Sequence, residues 1–338
     1  AICWKESRNV EEKIEKELKW AVLGTGVIAN EMAQALEKMG KKLYAVANRT
    51  HGKAVEFTEK YGIEKIYDRI EDMFTDKETD IIYITTPHNT HIKFMIEALE
   101  NGKHVLCEKS ITLNSEELEK AVKIAKEKNL ILGEAMTIFN MPLYAELLET
   151  VNSGKLGDVK MIQANFGSYK EYDMNNRFFN RNLAGGALLD IGVYAISVTR
   201  LFMDSKPDNV LSQVKYAPTG VDEQASIIMM NREQQMSTIS LTLHSKQPKR
   251  VVIACEKAYI EITEYPRADK AKIVCTETGE VEEITAGITE NALQYELRNM
   301  EESVRTGINK MKLEYTIDVM DIMTKLRKEW GMTYPEEE

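Results

Sequence analysis

WAVLGTGVIAN, residues 20–30, begins as an apolar strand, turns through two glycines and runs on as an amphipathic helix. Each small residue has a use if a dinucleotide docks here. Gly24 permits a tight turn after the strand, Gly26 lets a pyrophosphate approach the backbone, and Ala29 lets the helix pack closely on the strand. The first N–H groups of the helix have no partners within it and so face the phosphates. Thr25, Val27 and Ile28 belong to the same turn and are candidate cofactor contacts. A glycine turn without a ligand is the alternative. The strand–turn–helix context favours dinucleotide binding.

Outward from this turn the chain alternates between short apolar runs and helical periodicity. The runs at 20–23, 43–47, 81–85, 104–107 and 130–132 are continuous, as strands buried on both faces are. Between them Ile28, Met32, Leu36 and Met39, then Ile92, Met95, Ile96 and Leu99, then Leu118, Val122 and Ala125 recur at helical spacing. The expected fold class is α/β: a Rossmann dinucleotide-binding domain over 19–137. Beyond about residue 150 the strands lengthen, at 157–168, 224–230, 236–244 and 250–255, with turns rather than helices between several of them. A helix near 188–202 interrupts them, and 289–330 returns to helical spacing. These features predict an α+β domain over 138–338 with an open, mostly antiparallel sheet, its C-terminal helix packing back on the first domain. Residues 1–18 form an extension, where Val10, Ile14 and Leu18 share one face of a predicted helix over 9–19.

Bulk properties exclude several classes. The net charge is -10, with Lys and Arg scattered, which argues against a nucleic-acid surface. No apolar run reads as a membrane helix. The charged N-terminal residues lack the apolar core of an export signal. Cys3, Cys107, Cys255 and Cys275 form no C-x-x-C pair and no Cys/His cluster, so reduced thiols, a cytoplasmic setting and no metal site are expected.

The second strand bears on which dinucleotide binds. A site for NAD places an acid at its end, to accept from the ribose 2′-OH. This strand ends in Asn48 and Arg49 instead, and a guanidinium there suits a 2′-phosphate, so NADP is favoured over NAD. The strand at 81–85 runs into Thr86, Pro87, His88 and His91, at the strand end where ligands collect. His91 is either a general base or a structural histidine tied to a loop. The run at 104–107 leads into Glu108, Lys109 and Ser110, so the strand delivers a carboxylate and an ammonium to the same edge.

Four segments occur in order: GTGVIA at 24–29, TPHNTH at 86–91, Glu108-Lys109 after a strand, and GGALLDIGVY at 185–194. Together they resemble the Gfo/Idh/MocA oxidoreductases over about 19–330. The resemblance implies the two-domain fold above and reversible hydride transfer between a nicotinamide and a carbinol carbon of a sugar, polyol or diol. It implies a homodimer or homotetramer built through the second domain's sheet. It maps the family's E-K-P lysine onto Lys109 and its later aspartate and tyrosine onto Asp190 and Tyr194. Ser110 stands where the family has proline. Tyr194, where other members have histidine, resembles the branch containing glucose-fructose oxidoreductase, dimeric dihydrodiol dehydrogenases and some xylose dehydrogenases, mostly users of NADP.

The chemistry is consistent with those residues. Oxidising an alcohol removes a hydroxyl proton, and the reverse reaction returns one. An ammonium beside Tyr194 would favour its phenolate, so Lys109 and Tyr194 are complementary. Asp190 and Tyr194 are one helical turn apart, although Asp190 could equally cap that helix and Tyr194 could be a core aromatic. Glu108 is expected to orient the lysine or its loop near the cofactor. Tyr169, Arg177 and Arg181, in the aromatic and basic loop 169–183, are candidate substrate contacts, with a surface connection as the alternative. His244 and Cys107 read as structural. A non-catalytic dinucleotide-binding sensor or transcriptional co-regulator is the competing function, but it would have no need of Lys109, Asp190 and Tyr194.

Overall fold

A computed structural model describes residues 15–338. The predicted leading helix lies largely outside these residues, and 15–19 are not helical. The first unit alternates β1 (Trp20–Leu23), α1 (Val27–Lys38), β2 (Ala45–Ala47), α2 (His51–Tyr61), β3 (Lys65–Ile66), α3 (Ile70–Thr75), β4 (Ile81–Ile84), α4 (His91–Glu100), β5 (His104–Glu108), α5 (Ser115–Glu127) and β6 (Leu132–Ala135). Its strands form one parallel sheet in the order β3-β2-β1-β4-β5-β6. β1 and β4 are buried along their whole length, as continuous apolar runs require. α5 is closed by its own sequence: Asn114 accepts the Glu117 N–H at 2.9 Å, and the Glu117 carboxylate accepts the Leu113 N–H at 2.9 Å. β6 lies two residues beyond the expected run, because Gly133 and Glu134 within it interrupt the apolar pattern.

Two helices follow, α6 (Thr137–Asn140) and α7 (Pro142–Asn152), and then the second sheet. Its strands are β7 (Val159–Gly167), β8 (Asn209–Tyr216), β9 (Asp222–Met230), β10 (Met236–Thr242), β11 (Gln247–Cys255), β12 (Ala258–Thr263), β13 (Lys270–Cys275) and β14 (Val281–Thr285). They pair in the order β14-β13-β12-β11-β7-β10-β9-β8, antiparallel except for β7 with β10. The sheet is wider than the sequence predicted. In β8 the exposed Leu211 breaks the alternation, and β14 is exposed along most of its length; β13 does alternate, with Ala271 and Ile273 buried between exposed lysines, but over only four residues.

Between β7 and β8 the chain makes a π turn over Leu188–Gly192 that continues as α8 (Val193–Leu201). The stretch Arg181–Leu201 does have the length and hydropathy of a membrane span, contrary to expectation, but 78% of its apolar window is buried in the protein. It is a core helix.

α9 (Ala292–Thr306) and α10 (Leu313–Glu329) return to the first sheet. Leu293, Leu297 and Met300 join Met32 and Leu36 of α1 in one apolar cluster, and Trp20 Nε1 donates to Glu301 Oε1 at 2.9 Å. α10 packs on α5 and α8. After it, residues 332–338 form a strap tied to the rest of the chain. The buried Arg327 guanidinium grips Glu337 with two bonds of 2.7 and 2.8 Å and also donates to the Leu113 carbonyl. Tyr334, fully buried, donates to the Gly185 carbonyl at 2.6 Å.

Candidate active site

The register of the parallel sheet collects the first half of the site. Leu23 is level with Ala47 and Ile84, and Ile84 with Cys107. One step further, Gly24, Asn48, Thr85 and Glu108 therefore lie along one edge, the C-terminal edge, where open α/β sheets bind ligands. Gly24 has φ +105°, and a Cβ there would collide with the Thr85 hydroxyl, which is bonded to the Leu23 carbonyl at 2.8 Å. Only glycine fits this turn. Gly26 faces open space, Val27 is 79% exposed, and no side chain caps the start of α1. The first-turn N–H groups thus point into a free cradle, which fits a diphosphate. Thr25 and Ile28 are half-buried beside it. Asn48 donates to the Thr50 carbonyl at 3.0 Å, and Arg49 is exposed next to it. Thr86 accepts from the Thr90 hydroxyl at 2.7 Å, and Pro87 is exposed.

The second half arrives from π turn and helix. Gly185 and Gly186 make this entry possible: a Cβ on Gly185 would press on the Arg177 and Phe178 carbonyls, and one on Gly186, at φ +124°, would collide with Asp222. Asp222, not Asp190, serves the helix start, accepting the Leu188 N–H at 2.6 Å. Asp190 is thereby free for Lys109. The Lys109 ammonium donates to the Asp190 carbonyl at 2.7 Å and to its carboxylate at 3.3 Å, and lies 4.8 Å from the centre of the Tyr194 ring. Tyr194 stacks on Phe166 at 5.8 Å. The Lys109–Ser110 peptide bond is cis. The buried Ser110 hydroxyl donates to the Leu189 carbonyl at 2.7 Å, so neighbouring residues of one loop bind neighbouring carbonyls of the π turn.

Burial and charge pull in opposite directions here. Burial alone would raise Asp190, but Lys109 and Arg177 outweigh it and hold the carboxyl below its ordinary range. Burial disfavours the Lys109 charge, yet Tyr194, Asp190 and Glu108 keep its pKa above the ordinary value. Tyr194 is raised by burial, against the pull of Lys109. The expected phenolate is therefore not the resting form; Tyr194 is a phenol beside an ammonium. Glu108 is raised by burial, opposed by its bond from the Tyr83 hydroxyl and by Lys109. His88 bonds the Lys109 carbonyl at 3.1 Å and is pushed down to about 3 by burial and the neighbouring His91 and Lys109, so it is neutral at pH 7.

Two expectations need correction. His91 is fully buried, with Nδ1 on the Ser110 carbonyl at 3.0 Å and Nε2 on the Thr86 carbonyl at 2.7 Å. With both ring nitrogens against backbone carbonyls it braces the loop, as its structural reading expects, and is not placed as a cofactor contact. Arg181 turns from the site to the strap, bonding the Thr333 carbonyl at 2.9 Å and pairing with Glu338. Arg177, in contrast, is 3.8 Å from Asp190, and Tyr169 stacks on His244 at the rim, 5.4 Å between centroids. Sequence reasoning missed Arg267, whose guanidinium meets Glu31 of α1 at 3.1 Å across the cleft, and Phe166, which backs Tyr194. Phe166 could have been inferred from the alternation of β7; Arg267 had no local signal. Among the described residues no group of three or more His, Cys, Asp or Glu has the geometry to hold a metal ion.

Comparison with known proteins identifies the family and the fold. Residues 18–136 match the oxidoreductase family described by its NAD-binding Rossmann fold, and residues 144–261 match the GFO/IDH/MocA C-terminal domain. The chain is 30% identical to the trans-1,2-dihydrobenzene-1,2-diol dehydrogenase of Xenopus laevis over 332 residues, covering 94% of this chain and 99% of that one. The mouse (Mus musculus) protein of the same name is 27% identical, with 95% and 99% covered. Among solved structures, a 3-ketoreductase from Actinomadura kijaniata with NADP and TDP-benzene superposes with a TM-score of 0.83 at 20% identity, covering 93% of this chain and 98% of that one. A levoglucosan dehydrogenase in complex with NADH gives 0.82 at 16% identity, with 93% and 97% covered. These two share the fold.

Behind Lys109, Glu134 is buried with one carboxyl oxygen on the Ile111 N–H at 3.0 Å and the other without a partner. Burial and the nearby Glu108 raise it to about 7. The folded state therefore binds a proton that the unfolded chain loses near pH 4.5, and stability falls as pH rises from there to 7. Glu134→Gln removes this loss. The stability of the variant relative to the parent should improve by roughly 2–3 kcal/mol between pH 4 and pH 8, read by urea unfolding at each pH. A constant difference across that range would mean that the carboxyl is ionised in the fold.

Proposed function

Because the chain belongs to the Gfo/Idh/MocA oxidoreductase family, we propose that it moves a hydride between NADP and a carbinol carbon of a sugar, polyol or dihydrodiol. The observation that carries this reading is the meeting of Lys109, Asp190 and Tyr194 opposite the open N-terminus of α1. In the proposed division, residues 19–137 hold the dinucleotide and 138–338 hold the substrate and the oligomer contact.

The nicotinamide, when bound, supplies the two-electron donor or acceptor. The protein's own residues handle the oxygen and its proton. Lys109, charged and held by Asp190, polarises the substrate oxygen. Tyr194, kept protonated by burial, donates its O–H to that oxygen during reduction and recovers the proton during oxidation. The lysine lowers the cost of the intervening phenolate. Asp190 keeps the ammonium aimed at the substrate, and Ser110 fixes the loop from which it extends. The backbone from Gly24 to Ile28 would carry the diphosphate, and Arg49, without an ionic partner among the described residues, would carry the 2′-phosphate that distinguishes NADP from NAD.

The outer face of the second sheet supports self-association. Tyr259, Met161 and Met236 share a row in register, Ile228 and Leu211 continue the same face, and all five are exposed.

Three outcomes test this function. Lys109→Ala and Tyr194→Phe should each lower kcat by at least about a hundredfold while leaving the NADP Kd within a few-fold; undiminished turnover in both would exclude the mechanism. Arg49→Asp should reduce the stabilisation conferred by NADP, measured as the shift in Tm, far more than that conferred by NAD. Equal losses would remove Arg49 as the discriminating contact. Ile228→Glu should shift the mass seen by light scattering towards the monomer, and an unchanged mass would place the interface elsewhere.

A further inference from the structure

The region around Asp190 contains more positive charge than that carboxylate can neutralise. Lys109 and Arg177 both approach one of its oxygens, at 3.3 and 3.8 Å. Lys170 lies 4.2 Å from the centre of the Phe178 ring, and Arg177 packs on the same ring at 4.3 Å. No carboxylate among the described residues lies within ion-pair distance of Lys170, and burial together with its cationic neighbours lowers its pKa. Lys249 adds a further cation over Phe166, with only the exposed Glu264 opposite at 3.7 Å. In a chain of net charge -10, this concentration at one cleft is the reverse of the average surface. Glu108 lies behind Lys109 and is occupied by Tyr83.

Like charges held together at a half-buried site cost stability unless something negative binds between them. The dinucleotide phosphates are accounted for elsewhere, at the start of α1 and at Arg49. Lys170 and Arg177 belong to the second unit and face the substrate side of Lys109. We propose that the substrate carries an oxyanion, a carboxylate or a phosphate ester, within about one sugar ring of its carbinol carbon, and that Lys170 and Arg177 bind it. Arg177 supplies a planar fork, Lys170 a point charge, and Phe178 holds both in place. This rests on the hydride-transfer function above and narrows its substrate class.

The test uses the NADP-loaded enzyme and matched probes of gluco, galacto and manno configuration: the neutral sugar, its uronate and its 6-phosphate. Calorimetry gives the Kd of each, and nicotinamide absorbance gives kcat/KM where turnover occurs. For at least one configuration, an acid should bind tenfold or more tighter than its neutral partner. The advantage should shrink as salt is raised. The double variant Lys170→Gln, Arg177→Gln should cut the acid-to-neutral ratio about tenfold, and Lys170→Glu, Arg177→Glu should invert it. Whichever of uronate and 6-phosphate gains more identifies the anion. Acids that bind no better than neutral sugars in every configuration, or a preference that survives the double variant, overturn the proposal. Turnover of neutral sugars alone would do so while leaving hydride transfer intact. Tight acid binding without turnover of any probe would support the anion site and count against hydride transfer on these sugars.

Discussion

A buried ammonium organises this molecule. Lys109 is brought to the edge of the parallel sheet by a strand whose middle, Val105–Cys107, is wholly buried, and its charge there would be costly without compensation. The compensation comes from the other unit, through the carbonyl and carboxylate of Asp190. Those groups are available because a π turn, entered through a glycine pair and served by Asp222, directs them at the lysine. The same contact keeps the lysine over the Tyr194 ring and, against the effect of burial, holds Asp190 below and Lys109 above their ordinary proton affinities. Removing the charge would leave the buried Asp190 carboxylate with only Arg177, 3.8 Å away, to offset it.

The balance at Tyr194 shows why a pairwise chemical intuition was incomplete. An adjacent ammonium favours the phenolate, and that inference holds for the direction of its effect. Burial acts on the same group and is the larger influence. A sequence names the partners of a titrating group and does not state how much water surrounds it.

Much of the fold was legible because its signals are local. The turn at Gly24 and Gly26, the apolar runs, the helical periodicities and the glycine pair before Asp190 each lie within one short window. What escaped depends on distant contacts. Ser110 looked like a defect in a motif until the Leu189 carbonyl, 79 residues on, gave its hydroxyl a partner. His91 could be read as a base or as a loop brace, and only the backbone carbonyls around its ring decide for the brace. Arg181 was a candidate substrate contact because its loop is aromatic and basic, and a strap more than 150 residues later claims it. The edge strand β14 was invisible for the opposite reason: it is so exposed that no alternation marks it.

The return of α9 to α1 has a consequence for how the chain is made. On a ribosome, the parallel sheet emerges with β6, but the Trp20 indole must wait for Glu301, 281 residues later in the chain. Until then Met32 and Leu36 lack the cover that Leu293, Leu297 and Met300 provide. At typical synthesis rates, on the order of 5–20 residues per second, that interval lasts from roughly a quarter of a minute to about a minute. Slow translation of the second sheet would prolong the exposure of this apolar patch. An enzyme whose opening strand is sealed by its closing helices gains a check on completeness, because a chain cut short before α9 lacks the cover for its own first helix.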